Sequence, residues 1–358
     1  MVPILLQLKC AALFALLCLN ACVAQTLSNC RPAPPLPANA KPAVNGLTLS
    51  RDRKTVVVAG GDAKIRFVDL ATGMVRRTFV GHTNAVYATV FSPDEKLLAS
   101  ASRDTARIWD VSSGRELWKV EGFRCPAKAA VFSRDGQMLA VAGNDGILKL
   151  YDVTSRKELR SMVHVNSVSI DMSVYALAFS HDDQKIYAAN GDGTISEWDT
   201  SSGRETRAWK AHDHTTLKLA FSSDYTLLAS FGDSVVKLWD TKTWREVRSL
   251  SMVRESQVTA LPSAIAFSND GKLIAASDIG IDQKQGTYAY VQALVWSVDS
   301  GAKLFTIEGH RFDINGLVFT DDNQFLLTGS VDTTIKFWDM KTGQLSKTFT
   351  VSPNEKKN

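Results

Sequence analysis

Four short stretches contain residue types that could support chemistry. His212 and His214 flank an aspartate in "HDH", but two histidines without a third ligand make a poor zinc site. The segment "FGDSVV", which starts at Phe231, contains a Gly-Asp-Ser string like that of some esterases. The segments "GNDG" and "NGDG" are similar to calcium loops, yet neither has the alternating ligands and the distal Glu that such loops need.

The remaining sequence adds little to a catalytic interpretation. No His and acidic pair can be placed beside a candidate nucleophile, and no phosphate-cradling loop is present. The formal net charge is +4, and the longest basic cluster is the short "NEKKN" at the C-terminus. We therefore predict no catalytic residue, no metal, no cofactor and no nucleic-acid partner.

The N-terminal stretch differs in composition from the rest of the chain. Lys9 precedes an apolar run from Ala11 to Leu19, which is shorter than the roughly 20 residues that span a bilayer. Such a run, followed by small residues, is typical of a secretory signal. Two cleavages stay open: a signal over residues 1–24, or one over 1–21 that ends at "LNAC", which resembles the lipobox of bacterial lipoproteins and leaves Cys22 lipidated.

An exported protein is therefore expected, located in a bacterial periplasm or anchored to the envelope, with secretion as the alternative. A lipid on Cys22 is the one membrane attachment we expect. Outside the signal, Cys30 and Cys125 remain. They either form a disulfide or stay as two free thiols. In the chain-entropy model, a disulfide that closes so long a loop stabilises the folded state by about 4–5 kcal/mol.

Pro-rich composition marks the next segment. "RPAPPLPANAKP" is typical of an extended polyproline-like tether. We assign residues 25–42 to this tether, 43–351 to one folded domain and 352–358 to a polar tail.

One short phrase recurs seven times in the folded domain, at intervals of roughly 40 to 50 residues. It reads "LSRD" at Leu49, "FSPD" at Phe91, "FSRD" at Phe132, "FSHD" at Phe179, "FSSD" at Phe221, "FSND" at Phe267 and "FTDD" at Phe319. Alternating apolar stretches flank each copy, and Ser and Asp favour a tight turn between two strands. A Trp-Asp pair or a variant of it follows each phrase, then a polar turn and a fourth strand-like run. Four short strands per period predict a propeller blade.

A third landmark is Gly-His, at Gly81-His82 and Gly309-His310, with Ala211-His212 as a variant. Together these landmarks resemble the WD-repeat β-propeller family over residues 43–351. The resemblance implies an all-β fold of seven four-stranded antiparallel blades. It also implies structural tetrads of His, Ser or Thr, Asp and Trp. Their matches are His82, Ser100, Asp104 and Trp109; His212, Ser230, Asp233 and Trp239; and His310, Thr328, Asp332 and Trp338. The hydroxyl could instead be that of Ser102 or Ser330.

Some blades depart from the family pattern. Val68 replaces Trp in the first blade, Tyr151 replaces it in the third, and the fourth has no Gly-His. The sixth blade carries about ten extra residues in "DIGIDQKQGTYAY", either a binding loop or a tolerated insertion. The C-terminal "GQLSKTFTVS" can supply the outer strand of the seventh blade, so we expect closure without strand exchange.

The resemblance also implies a partner-binding rim around the central channel. Its residues are Asn84, Tyr87, Arg103, His214, Leu217, Phe312, Asn315 and Val331, with Tyr288 and Tyr290 from the insertion. We therefore predict a monomeric, non-catalytic scaffold in the cell envelope that binds a protein or peptide. A propeller enzyme or small-ligand binder that uses the channel is the alternative.

Overall fold

The computed structural model describes residues 36–37, 39–121, 123, 125–164, 171–252, 258–260, 263–282 and 288–351. Every helix or strand element in these residues is a β-strand. The strands form seven antiparallel sheets, each built from consecutive strands of the chain.

The strands of the first four sheets follow one another without a crossover. Sheet 1 contains β1 (Val44–Leu49), β2 (Thr55–Gly60), β3 (Lys64–Asp69) and β4 (Val75–Val80). Sheet 2 contains β5 (Val86–Phe91), β6 (Leu97–Ser102), β7 (Ala106–Asp110) and β8 (Glu116–Lys119). Sheet 3 contains β9 (Ala127–Phe132), β10 (Met138–Gly143), β11 (Ile147–Asp152) and β12 (Glu158–Val163). Sheet 4 contains β13 (Val174–Phe179), β14 (Lys185–Asn190), β15 (Thr194–Asp199) and β16 (Glu205–Lys210).

The remaining three sheets include one that is irregular. Sheet 5 contains β17 (Lys218–Phe221), β18 (Leu227–Gly232), β19 (Val235–Asp240) and β20 (Glu246–Ser251). Sheet 6 contains β21 (Val258–Ala260), β22 (Ile265–Phe267), β23 (Leu273–Asp282), β24 (Tyr288–Ser297) and β25 (Lys303–Glu308). Sheet 7 contains β26 (Ile314–Phe319), β27 (Phe325–Ser330), β28 (Thr334–Asp339) and β29 (Leu345–Thr350). In sheet 6, β21 and β22 both pair with β23 and share the innermost position.

Burial follows the position of a strand within its sheet. The second strands are apolar and almost wholly buried, as in β10, because both of their faces are covered. The fourth strands are polar and exposed, as in β16. The first strands are mostly half-buried, as in β1 and β5, so the most protected strand of a sheet is its second and the most exposed is its fourth.

The recurring phrase forms the turn between the first two strands. In sheet 2, the Ser92 hydroxyl donates to Asp94 Oδ1 at 2.7 Å and accepts the backbone N–H of Leu97 at 3.0 Å. The Lys96 N–H donates to the same carboxylate oxygen at 3.1 Å. Side-chain groups thus satisfy the turn backbone, as the sequence predicts.

Seven clusters of buried apolar side chains hold neighbouring sheets together, one at each boundary. One of them joins Val56 and Val58 of the first sheet to Leu327 and Phe337 of the last. The sheets therefore close into a ring, a seven-bladed β-propeller, and the predicted fold class is confirmed.

Closure of the ring uses strands in their chain order. Strand β29 supplies the outer strand of blade 7, so no strand is exchanged, as predicted. The Lys347 ammonium donates to the carbonyl oxygens of Leu70 and Ala71 in blade 1, at 3.0 and 2.7 Å. Apolar side-chain packing and hydrogen bonds from a side chain to backbone, rather than a shared sheet, join the two ends of the ring.

The insertion in blade 6 is more regular than the loop expected from the sequence. Strands β23 and β24 are each 10 residues long, and their pairing continues to Gly280 opposite Tyr290. The alternating apolar and aromatic residues of the insertion allow this continuation. Much of the surplus therefore lengthens a hairpin.

The terminal predictions fall largely outside the described residues. These include the signal over 1–24 or 1–21, Cys22, Cys30, most of the tether and the tail over 352–358. The domain boundaries and the Cys30–Cys125 pair therefore stay predictions. Within the described part of the chain, no helix has the length and apolar character needed to cross a membrane.

Candidate functional site

A chain of hydrogen bonds ties blade 2 together at the residues expected for a tetrad. The Trp109 indole N–H donates to Ser100 Oγ at 2.8 Å, and that hydroxyl donates to His82 Nε2 at 2.7 Å. His82 Nδ1 donates to Asp104 Oδ1 at 2.6 Å. Burial lowers the pKa of His82, so the ring is neutral at pH 7. Each polar atom in this dry location therefore has a partner.

Electrostatics keep the Asp104 carboxylate ionised. Burial raises its pKa, but the hydrogen bonds from His82 and from the backbone N–H of Thr83 outweigh burial and hold that pKa well below its usual range. Arg107 also lies 3.1 Å from the carboxylate. The hydroxyl in the chain is that of Ser100, because Ser102 Oγ donates instead to the carbonyl oxygens of Asn84 and Ala85.

Blade 7 repeats this arrangement with Thr in place of Ser. Trp338 Nε1 donates to Thr328 Oγ1 at 2.8 Å, and the hydroxyl lies 2.7 Å from His310 Nε2. His310 Nδ1 is 2.8 Å from Asp332 Oδ2. Ser330 instead bonds the carbonyl oxygen of Phe312.

Blade 5 forms only part of the chain. Trp239 and His212 both contact Ser230 Oγ at 2.9 Å. Asp233 turns away to accept the backbone N–H of His214 at 3.0 Å. Burial lowers the pKa of His212 to about 4. The predicted tetrad residues therefore lie together in blade 5, but the aspartate bonds a different histidine.

His164 is a fourth structural histidine, which the sequence did not predict. His164 directly follows β12, whereas His82 lies two residues after the end of β4. Val163 stands in place of the Gly before His82, and extra residues separate His164 from the next phrase. Its ring nitrogens lie 2.7 Å from Glu205 and 3.2 Å from Asp192. Although burial lowers its pKa, these two carboxylates raise it further, so the net direction is upward. Its position after a fourth strand is the signal that could have identified it.

Blade 1 replaces the tetrad with an ion pair. Arg66 is fully buried and forms a two-pronged contact with Asp62, at 2.8 and 2.5 Å. Asp62 occupies the turn position equivalent to Asp104. Because Ala40 stands where a tetrad histidine would lie, nine residues before the phrase, the guanidinium takes over the role of satisfying this carboxylate.

The mouth of the central channel is a concave feature to which every blade contributes. A cavity of about 240 Å³ lies there, lined by residues from all seven blades. Seven of them occupy one equivalent position, four residues before each phrase: Asn45, Tyr87, Lys128, Tyr175, Leu217, Ser263 and Asn315. Lys218 also lines it.

A backbone irregularity directs these side chains. In five blades the register of the innermost strand shifts at this position, which leaves one extra residue there: Asn45, Tyr87, Lys128, Tyr175 and Asn315. Such a β-bulge re-aims a side chain at the rim of a barrel or a site. The repeated bulge therefore explains why the equivalent residues converge on the channel.

The structure brings together some of the predicted rim residues. Tyr87, Leu217 and Asn315 line the cavity. The prediction missed Asn45, Lys128, Tyr175 and Ser263, because it counted from Gly-His motifs that their blades lack. Counting back from the recurring phrase would have located all four.

Other predicted rim residues lie farther out or deeper. Arg103 and His214 are exposed, and Phe312 is 45% exposed. Val331 is half-buried, and its N–H donates to the carbonyl oxygen of Asp313. Asn84 is buried at 4% exposure, because its loop turns inward to meet Ser102. A side chain in that position is not available to a partner.

The insertion provides one described tyrosine at this face. Tyr290 is half-buried on β24, while the side chain of Tyr288 lies outside what the structure describes. The β23–β24 turn is equivalent to those that carry Arg103 and Val331, so the lengthened hairpin projects from the same face.

Positive charge gathers at the cavity. Lys128 Nζ lies 4.3 Å from the centre of the Tyr87 ring. Burial, together with the charge of Arg103, lowers the pKa of Lys128, against an opposing pull from Asp171. Burial and the charge of Lys128 lower the pKa of Lys218 to about 8. Lys218 is therefore still mostly protonated at pH 7 in a poorly solvated place.

The residues of "HDH" and "FGDSVV", which the sequence analysis considered for chemistry, lie in turns and structural contacts. His212 and Asp233 have the structural contacts described above, and Ser234 lies on the turn with a φ of 67°. Among the described residues, no group of three or more His, Cys, Asp or Glu side chains is placed to hold a metal ion.

Comparison with known families agrees with this architecture. The chain matches the family model "WD domain, G-beta repeat" over residues 73–110, 115–152, 160–199, 203–240 and 301–339. These segments cover more than half of the chain, and the chain therefore belongs to this WD-repeat family. The irregular β23–β24 hairpin of blade 6 lies outside the matched segments.

Curated relatives resemble only part of the chain. Denticleless protein homolog B of Xenopus laevis is 30% identical over 120 residues, 32% of this chain and 17% of that protein. Coronin-7 of Bos taurus is 36% identical over 110 residues, 28% of this chain and 12% of coronin-7. Target of rapamycin complex subunit wat1 of Schizosaccharomyces pombe is 32% identical over 116 residues, 32% of this chain and 37% of wat1. The chain thus spans well under half the length of these relatives.

The localisation predicted from the N-terminal residues is wrong. The predicted location was a bacterial periplasm or envelope, with secretion as the alternative, whereas these relatives are proteins of eukaryotes. An apolar run followed by "LNAC" is a short local pattern that many chains contain by composition alone. The repeat pattern extends over most of the chain and carries far more information about kinship.

Proposed function

We propose that this propeller is a non-catalytic scaffold that binds a protein or peptide at the mouth of its central channel. The observation that carries the proposal is the ring of equivalent positions that β-bulges turn toward one cavity. Aromatic and cationic side chains among them are typical of interface hot spots.

Two further observations support a protein partner. Arg103 and Phe312 lie exposed on the loops of the face where the hairpin of blade 6 projects, which extends the contact area beyond the cavity. One relative, wat1, is named as a subunit of a complex. A rigid ring that presents side chains from separate repeats suits recognition without chemistry.

The proposal is tested by capture of partners from the organism that produces the protein. We expect tagged wild-type protein to retain a specific protein that the double variant Arg103→Glu, Phe312→Ala loses. The matched control is Arg245→Glu in the turn before β20, combined with Leu345→Ala on the outer strand β29, because Arg245 is exposed and Leu345 is 46% exposed, close to the 45% of Phe312. Equal melting temperatures establish that the variants are folded.

Either of two results contradicts the proposal. A partner retained equally by all three proteins places the contact away from this face. A bound small molecule without any protein partner favours the alternative of a channel enzyme or ligand binder.

The Cys30–Cys125 disulfide and the monomeric state also belong to this proposal. Cys125 is 5% exposed, which makes it a suitable structural half of such a bridge. We expect alkylation of these two cysteines only after reduction, as measured by mass spectrometry. Sedimentation at micromolar concentration should give the mass of one chain.

A further inference from the structure

The cavity at the channel mouth has an unbalanced charge. Two lysines line it, Lys128 and Lys218, and no carboxylate is among its lining residues. Asp171 lies nearby, but it accepts the hydroxyl of Tyr175 at 3.0 Å. Arg103 adds a further positive charge that acts on Lys128.

The two ammonium groups have few protein partners. Lys128 Nζ rests over the Tyr87 ring, a cation–π contact that carries no negative charge. Within the described residues, Lys218 Nζ has neither a hydrogen-bond acceptor nor an ion-pair partner. Both side chains are half-buried in the channel. A pair of like charges in such a place is costly unless an opposite charge lies between them.

Neutral polar groups complete the cavity. Ser263 of blade 6 and Asn315 of blade 7 contribute neutral polar side chains, and Tyr87 and Tyr175 form aromatic walls. At about 240 Å³ the cavity is smaller than the roughly 300–1,000 Å³ of a typical small-molecule pocket. It therefore suits one acidic side chain or one small anion.

We propose that the mouth of the channel binds one anionic group, a carboxylate or a phosphate, between Lys128 and Lys218. This inference rests on the proposed function, in which the group belongs to an acidic segment of the bound protein. A lysine ammonium is a compact charge with three N–H donors. Two ammonium groups can therefore donate to the oxygens of a single carboxylate or phosphate. The partner is thereby defined as a peptide with an acidic residue at its centre.

The first experiment uses inorganic phosphate as the probe. We expect phosphate to raise the melting temperature of the full chain in a saturable way, relative to KCl at equal ionic strength, because ligands that bind the folded state stabilise it. Lys128→Met and Lys218→Met should weaken this binding about tenfold or more. Lys242→Met, which removes the same charge from an exposed turn of blade 5, should leave it unchanged.

The variants should fold, which keeps the test decisive. Lys218→Met removes a half-buried charge that Lys128 repels. Its melting temperature without phosphate should therefore equal or exceed that of the wild type.

The second experiment selects binders from a random peptide library displayed on phage. Wild-type protein should enrich peptides that contain Asp or Glu, phosphate should compete with them, and Lys218→Met should lose the enrichment. Enriched peptides without acidic residues would overturn the anion inference and leave the proposed scaffold intact. Saturable phosphate binding without selected peptides would support the anion site, make a free anion its occupant and count against the scaffold. The absence of both phosphate binding and enrichment of acidic peptides would overturn the inference.

Discussion

Trp109 shows how one residue type can serve packing and hydrogen bonding together. Its ring is 1% exposed and contacts Phe79, with ring centres 5.6 Å apart, while its N–H reaches Ser100. The residue combines a large apolar surface with a single polar atom that needs a partner. This combination explains why Trp recurs at the third strand of so many blades.

Removal of the Trp109 side chain should destabilise the folded protein. We expect Trp109→Ala to lower the free energy of unfolding by about 3–5 kcal/mol, because it leaves a cavity and removes the hydrogen bond that the indole N–H donates to Ser100. Denaturant unfolding measures the loss. Val80→Ala on the neighbouring exposed strand, with Val80 69% exposed, should change it by less than about 0.5 kcal/mol. Equal effects of the two substitutions would refute the structural role of Trp109.

His164 should make stability depend on pH. Its pKa is raised in the folded state by Asp192 and Glu205, despite the opposing effect of burial. The unfolded chain therefore binds fewer protons than the folded one near neutrality, and stability falls as pH rises from about 6.5 through the folded pKa. We expect the wild type to lose stability over this window while His164→Gln loses less. Parallel curves for the two proteins would contradict this account.

At the scale of the element, turn length decides which tetrads are complete. The turn between β18 and β19 of blade 5 has two residues, 233–234, whereas the turn between β6 and β7 of blade 2 has three, 103–105, and Asp233 has a positive φ of 47°. This backbone conformation points the carboxylate to the backbone of His214. A missing residue in one turn thus removes one hydrogen bond from the buried chain.

The two aspartates should therefore respond differently to the same substitution. Asp104→Asn should cost about 2–3 kcal/mol, because it breaks a charged hydrogen bond to a buried His82. Asp233→Asn should cost less than about 1 kcal/mol, since its partner side chain, His214, is 86% exposed. Thermal unfolding of both variants measures the difference, and a reversed order would show that turn length does not matter.

At the scale of the whole molecule, closure of the ring repeats an ordinary contact between blades. Gly343 of blade 7 packs against Phe305 of blade 6, and Gly73 of blade 1 packs in the same way against Phe349 of blade 7. The first and last blades therefore meet as any other neighbours do.

A matched pair of glycines tests this contact. Both Gly73 and Gly271 have positive φ, at 73° and 70°, so alanine strains the backbone at either position by about 1–2 kcal/mol. A Cβ at Gly73 would lie 2.3 Å from the Phe349 ring, but at Gly271 its nearest neighbour is 4.0 Å away. We expect Gly73→Ala to cost about 1–3 kcal/mol more than Gly271→Ala in thermal unfolding. Equal costs would mean that Phe349 moves aside freely.

The sequence by itself determined the fold, because each repeat encodes its own strands and turns through local chemistry. Ser92 and Asp94 bond their own turn, and a copy of this pattern in every blade specifies seven similar sheets. The tetrad residues of blades 2 and 7 could likewise be found from spacing. Their contacts span neighbouring strands whose register the short turns determine.

Only the tertiary structure decided which side chains meet at the channel. Lys128 and Lys218 are far apart in the chain, and they share a cavity because the ring closes and a bulge turns Lys128 inward. The same holds for Asn84, which lies buried although its spacing placed it on the rim, and for Arg66, which replaces a missing tetrad. Spacing describes local order along a strand, whereas burial and convergence depend on how separate repeats pack against one another.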